Sequence, residues 1–272
     1  MAYASYNRGF KSGVYNISTV TNLFATEPET IDAFEIGFKS SLFSRKLTFN
    51  AAAYYYKYDN LQVPIVDPAT NTQQSINAAK ATISGLEIEA SYRPDNRLSL
   101  SSGFSTFFKS EYDNFRNCLL YRPAGAGFAV AANGDCSGTD LPATPDYMFN
   151  IQAGYTLPLK NGSKIEFNTL FTYLDKFDHA SHGFYPAGFA NGVAYPAGEG
   201  RAPIQNATET LNASVTFTAP DDAFYVSLWG KDLFDQNDVF RNVSTTTFGY
   251  YTVLTRGLTA GITIGTKFGG QR

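Results

Sequence analysis

The 272-residue sequence is poor in the side chains that most often carry chemistry: two cysteines, two histidines, two methionines and one tryptophan. It has no apolar run of about 18 residues, which excludes a helical membrane span. Charged residues make up only 17%, against roughly 25% in ordinary soluble domains. Lys and Arg number 21, Asp and Glu 24, and the net charge of -3 gives no electrostatic case for nucleic acid. The first ten residues, MAYASYNRGF, contain no apolar stretch of the secretory type. Either the chain is cytosolic or its export signal lies outside this sequence. No G-x-S-x-G, H-E-x-x-H or P-loop pattern occurs. The glycine-rich pieces AGAG (124–127) and GEG (198–200) follow no strand-to-helix pattern and read as loop.

The two cysteines, Cys118 and Cys136, share one segment rich in Gly, Ala and Asn. Their spacing does not suit zinc, which wants CxxC pairs or added histidines. Two readings stay open: unrelated thiols, or a loop-closing disulfide in an oxidising compartment.

What the sequence does have is aromatics, with 23 Phe and 18 Tyr, and a period of two. Leu47, Phe49, Ala51, Ala53 and Tyr55 alternate with Thr48, Asn50, Ala52 and Tyr54. The same beat runs through Leu98, Leu100, Ser102, Phe104, Thr106 and Phe108, and through Ile165, Phe167, Thr169, Phe171 and Tyr173. It returns at Leu258, Ala260, Ile262, Ile264, Thr266 and Phe268. Such alternation gives a strand one apolar and one polar face.

The pattern predicts ten strands, near 2–10, 31–42, 46–58, 74–93, 97–112, 145–158, 163–176, 206–218, 223–232 and 250–268. Their connections alternate in length. Short turns are expected at 43–45, 94–96, 159–162 and 219–222, where Pro-Asp and Asn-Gly favour tight reversals. Long loops are expected at 11–30, 59–73, 113–144, 177–205 and 233–249. Short turns at one end and long loops at the other mark the wall of an outer-membrane β-barrel. The apolar phase of strands two to ten is expected to carry no charge, since Lys or Arg at mid-bilayer costs roughly 2–4 kcal/mol. The opposite phase carries Glu35, Lys39, Glu87, Glu89, Glu166 and Lys267. Tyr54, Tyr55, Tyr56 and Tyr58, with Tyr147 and Phe149, are expected in interfacial girdles. The fold class is therefore all-β: an antiparallel transmembrane barrel wall of about ten strands. A soluble β-sandwich binding module is the alternative.

Few residues stand out for chemistry. His179 and His182 sit beside Asp175 and Asp178 in DKFDHASH. A metal pair or a protease site is the sharp reading, and a solvated loop that touches ligand the plainer one. The only Asp-Asp pair, Asp221-Asp222, lies in a short turn. Glu87 and Glu89 share the polar phase of one strand, either as an acid/base pair or as lumen charges pairing with Lys39 or Arg97. For ligand contact the candidates are the loop residues Phe10, Tyr121, His179, His182, Phe184, Tyr185, Tyr195 and Arg201. No catalytic residue, metal ligand or cofactor site is assigned.

Several stretches resemble the barrel portion of the TonB-dependent outer-membrane receptors. They are YASYNRGFKSGVYN (3–16), PETIDAFEIGFKSSLF (28–43), AAAYYYKYDNLQV (51–63), NAAKATISGLEIEASYRP (77–94) and WGKDLFDQ (229–236). In the last, the family more often has Asn-Leu-Phe-Asp. The resemblance implies a twenty-two-stranded barrel with a plug, importing scarce nutrients with energy passed from the inner membrane. It implies that residues 1–272 are a C-terminal barrel segment, with no plug domain. The partners implied are outer-membrane lipid, a siderophore, vitamin or saccharide at the outer loops, and an energy-transducing protein reached only through a plug region. A terminal aromatic is usual in the family's last strand; Phe268 fits, though Gly269-Gly270-Gln271-Arg272 follow. A small closed barrel with protease-like activity is the enzymatic alternative. Ten strands are expected as a curved antiparallel sheet, closed or open.

Overall fold

The computed structural model describes residues 1–19, 22–67, 72–77, 80–124, 127–178, 188–190, 193–195, 204–236, 239–245, 249–254 and 257–266. Ten strands form one sheet: β1 Ala2–Lys11, β2 Glu29–Leu42, β3 Leu47–Asp59, β4 Lys80–Tyr92, β5 Leu98–Asn114, β6 Tyr147–Pro158, β7 Lys164–Leu174, β8 Thr208–Thr218, β9 Phe224–Lys231 and β10 Thr259–Thr266. Each strand pairs antiparallel with its neighbour in chain order. Among the described residues β1 and β10 pair with no further strand of the sheet, so the wall is open.

All four short connections lie at one end. They close by local chemistry rather than by packing. Asp95 accepts the N–H groups of Arg97 and Leu98 (2.8 and 3.0 Å), an Asx turn that ends one strand and starts the next. Those two bonds hold its carboxyl below the usual carboxylate range. Asn161 likewise accepts from Ser163 N–H (3.1 Å) beside Gly162, whose φ of 85° is free of steric cost. Ala219 to Ala223 turns through a short 3-10 segment, Pro220–Asp222, and this is where Asp221-Asp222 sits.

The register sorts the side chains onto two faces, because cross-strand partners share a face. One face carries Phe34, Ile36 and Phe38 opposite Tyr55, Ala53 and Ala51, continuing to Ile88 and Phe104. On the far side of the sheet it carries Phe167, Val215, Leu228 and Ile262 in one row. Most of these rings and branched chains are exposed, up to 66% at Ile262. The other face carries Lys39, Asn50, Glu89, Gly103 and Asn150 in one row. Three cavities open on this polar face, which marks it as the concave, inner side.

Charge on the outer face needs a correction to the expectation. Asp32, Lys57 and Glu209 belong to the apolar phase. They sit at the long-loop end, where β2 (14 residues) and β3 (13 residues) outrun the roughly 9–11 residues that cross a bilayer. Arg8, Asp32, Lys57, Thr82 and Glu111 lie in one cross-strand row, immediately beyond the row of Tyr6, Phe34, Tyr55 and Ser84. The greasy band therefore stops at a line of rings, and ions begin one step past it.

β5 obeys that line by a bulge. Phe107 pairs with Gly85 and Lys109 with Ser84, so Phe108 is an extra residue. The bulge inverts the phase of everything after it. Lys109 and Glu111 join the outer face, and Ser110 and Tyr112 turn inward.

Two predicted strands were too long. Thr72–Asn77 and Gly249–Leu254 are not the starts of β4 and β10. They pair instead with Gln62–Asp67 and Val239–Thr245 as hairpins within the outer loops. Further hairpins join Tyr15–Thr19 to Asn22–Ala25, Arg116–Ala124 to Gly127–Asp135, and Gly188–Ala190 to Val193–Tyr195. The tyrosine cluster also divides. Tyr55 faces outward with Tyr147, but Tyr54 and Tyr56 face inward and stack at 4.9 Å.

Burial is concentrated above the band, not in the wall. Val63, Ala81, Tyr112, Phe115, Cys118, Cys136 and Leu141 form a core, with Tyr58, Leu61, Ile76 and Ile83 packed against it. A sheet whose outer face meets hydrocarbon needs no such core, whereas loops that stand in water do.

Candidate functional site: the inner wall and outer mouth

The inner face carries the polar groups. On β1 to β4, Tyr3, Glu35, Lys39, Asn50, Tyr54, Tyr56, Glu87 and Glu89 surround a cavity of about 200 Å³. Tyr3 donates its hydroxyl to Glu35 at 2.6 Å, and Lys39 Nζ lies 5.5 Å from the centre of the same ring. Asn50 Nδ2 donates to Glu89 at 3.4 Å. Neither Glu87 nor Glu89 forms an ion pair among the described residues, so the expected pairing with Lys39 or Arg97 is absent there. A pair of carboxylates in this open wall lacks the burial that acid/base work requires.

Two further cavities lie along the same face. One, of about 250 Å³, is lined by Gln152, Asn168, Asn212, Trp229 and Lys231. The other, of about 410 Å³, sits at the short-turn end among Arg93, Asp95, Arg97, Ser99, Thr156 and Glu166. Amides, hydroxyls and scattered charge of both signs make this a wetted lining rather than a reaction centre.

The mouth is braced by two devices. The first is a polar clasp. Gln62 Nε2 donates to the carbonyls of Ser12 and Glu27 (3.0 and 3.1 Å), Asn77 Nδ2 to those of Glu27 and Asn60 (3.0 and 2.8 Å), and Gln62 N–H to Glu29 (2.8 Å). The second is the bond between Cys118 and Cys136, with Cα atoms 5.9 Å apart, at the foot of the Arg116–Asp135 hairpin. Both sulfurs are buried in the outer core. Close by, burial together with Asp146 and Glu111 pushes the Asp140 carboxyl up.

The predicted contact residues are scattered. Phe10 is 82% exposed at the outer end of β1, and its partner Thr30 places it on the outer phase. Its ring is therefore on the opposite face from the inner-wall cavities. Tyr121 stands opposite Val130, and Tyr195 opposite Gly188, each in an outer hairpin. His179, His182, Phe184, Tyr185 and Arg201 lie outside the described residues. Sequence reasoning missed the inner-wall tyrosines, Trp229 and the clasp. Their signal was present in the register: Tyr3 and Trp229 fall on the polar phase, where a ring has no hydrocarbon to face. Among the described residues no group of three or more His, Cys, Asp or Glu is arranged to hold a metal ion.

An open antiparallel wall with a greasy outer face, a polar inner face and all long loops at one end defines a transmembrane β-barrel wall. The family profile described as TonB dependent receptor-like, beta-barrel matches residues 1–233. The chain belongs to this family, whose members are transporters rather than enzymes. The ferric yersiniabactin uptake receptor of Yersinia pestis superposes with a TM-score of 0.67 at 16% identity, over 97% of this chain and 34% of that one. The siderophore receptor PiuA of Acinetobacter baumannii gives 0.66 at 18% identity, over 97% and 33%. The ferric enterobactin receptor of Pseudomonas aeruginosa, in complex with enterobactin, gives 0.58 at 13% identity, over 97% and 38%. The chain thus spans about a third of the length of these structures.

Proposed function

We propose that this chain supplies wall and mouth to an outer-membrane receptor that imports a ferric siderophore by TonB-dependent transport. The observation that carries it is the division of one sheet into an apolar outer face and a polar, cavity-bearing inner face, in a chain of this family. Solved structures that it resembles are named as siderophore receptors, which supports that solute class. In this proposal the outer lipid layer meets the rings of Tyr6, Phe34 and Tyr55. The long loops capture the solute, with Tyr121, His179, His182, Phe184, Tyr185, Tyr195 and Arg201 as contact residues. The energy-transducing partner is reached through a plug region.

The test is uptake of radiolabelled iron by iron-starved cells with and without the gene, offered on hydroxamate, catecholate and mixed-ligand carriers. Loss of uptake of one carrier class in the deletion strain, together with recovery of the protein from the outer-membrane fraction, is expected. Equal uptake of all three classes in both strains refutes the siderophore assignment.

A further inference from the structure

Four rings on the inner face share one arrangement. Tyr3 lies opposite Gly37, Tyr54 opposite Gly85, Trp229 opposite Gly261 and Tyr225 opposite Gly265. In each pair the ring lies over the glycine. A Cβ at Gly37 would come within 2.5 Å of the Tyr3 hydroxyl, and one at Gly261 within 2.5 Å of Trp229 Cζ2. At Gly85 a Cβ would meet both the Tyr54 ring and the carbonyl of Thr106, and at Gly265 it would collide with the Tyr225 ring. Real side chains do not approach so closely, so each ring occupies space that only a glycine leaves.

Two of the rings are also latched. Tyr3 passes over Gly37 to reach Glu35, and Trp229 passes over Gly261 to donate from Nε1 to Thr263 Oγ1 at 3.0 Å. The acceptor stands two residues from the glycine in both cases, on the same strand and the same face. A lysine ammonium covers each latched ring, Lys39 at 5.5 Å from Tyr3 and Lys231 at 5.9 Å from Trp229. Glycine is otherwise a poor strand residue, because it packs nothing and loses the most freedom on folding. Its use beneath these four rings, on the face that must admit a solute, has a physical reason: a seated ring lies along the wall instead of standing into the passage.

We propose that Gly37, Gly85, Gly261 and Gly265 are positioning residues that hold Tyr3, Tyr54, Trp229 and Tyr225 flat, and so set how far the wall intrudes on the passage. The consequence for transport rests on the function proposed above, but the seating itself does not. Trp229 is the only tryptophan, so its fluorescence in the full chain, refolded in detergent micelles, reads one seat directly. Gly261→Ala is expected to lift the ring: acrylamide quenching should rise about twofold and the emission should shift to longer wavelength. Gly103→Ala is the control, since Gly103 is on the same face with only Asn150 near its Cβ position. Rescue supplies the second readout. Gly261→Ala should lower the urea midpoint in the native background and lower it much less when Trp229→Leu has already removed the ring. Unchanged quenching in Gly261→Ala, or equal midpoint losses in the two backgrounds, overturns the seating. Correct seating in a protein that imports no siderophore would instead sink only the transport function.

Discussion

Lys109 Nζ lies 2.7 Å from both Asp113 and Glu111, on the outer face just beyond the β5 bulge. Desolvation pushes the Asp113 carboxyl up, but the bonds from Lys109 and from the Thr82 hydroxyl outweigh it and hold the group below the usual range. The same bonds, to Asp113 first and then Glu111, hold the Lys109 ammonium above its ordinary value. A depressed carboxyl adds stability above its unfolded value and loses it as pH falls through the lowered one. A raised ammonium adds stability below its unfolded value and loses it as pH rises through the raised one. The network is therefore whole between about pH 4 and pH 10. Asp113→Asn is expected to cost about 0.5–1 kcal/mol at neutral pH, in the range of a partly exposed pair. It should also weaken the acid-side loss of stability. Urea midpoints measured against pH for both proteins check this.

The line between Phe34 and Asp32 gives a position-dependent prediction. Ile36→Lys places an ammonium within the apolar band and is expected to cost roughly 2–4 kcal/mol in a bilayer. Thr30→Lys, beyond the charged row on the same face of β2, is expected to cost about 0–1 kcal/mol. Equal costs for the two in lipid-vesicle unfolding would mean that the band has been placed wrongly.

Reduction should act on the mouth and spare the wall. Cys118 and Cys136 are 18 residues apart, and opening a loop of that size removes about 3 kcal/mol of constraint. The expected outcome is proteolytic cutting within the Arg116–Asp135 hairpin once the bond is reduced, with the far-ultraviolet strand signal retained. Phe115→Ala should produce the same susceptibility without reductant, since that ring is 2% exposed against Tyr112 at 4.9 Å.

Asp232 offers a stabilising change. Its backbone is left-handed, at φ 50°, and one carboxylate oxygen is buried without a hydrogen-bond partner. Asparagine tolerates that conformation and removes the charge from the partly buried carboxylate. Asp232→Asn is expected to raise stability by about 1 kcal/mol, read as a higher melting temperature. A lower one would show that the carboxylate is being used.

The wall was legible because its period of two is enforced on every strand by the same physical requirement, one face for hydrocarbon and one for water. The strand from Lys164 to Leu174 could be placed within a residue or two on Ile165, Phe167 and Phe171 alone. The loops were not legible. Thr72–Asn77 has strand composition and runs toward β4, and only its pairing with Gln62–Asp67 assigns it to a separate hairpin. The alternation put Tyr54 and Tyr55 on opposite faces, but it did not show that the inner rings line the wall rather than join the girdle. Tyr54 and Tyr55 are identical in sequence, and adjacent positions in a strand differ only in which way they face. Of the candidate contacts, Phe10 falls on the outer phase of β1, which its position at the loop-facing end of a strand did not fix.

The extra residue at Phe108 carries more than local shape. Were Phe108 drawn into the ladder opposite Ser84, every later position of β5 would slip by one and rotate by half a turn. Lys109 and Glu111 would swing toward the interior, and Tyr112, the largest ring of the outer core, would swing into water. One phenylalanine left out of the ladder thus keeps the two halves of a single strand suited to two different solvents, and pairing it would unseat the folded mouth while leaving the membrane-crossing half of the same strand untouched.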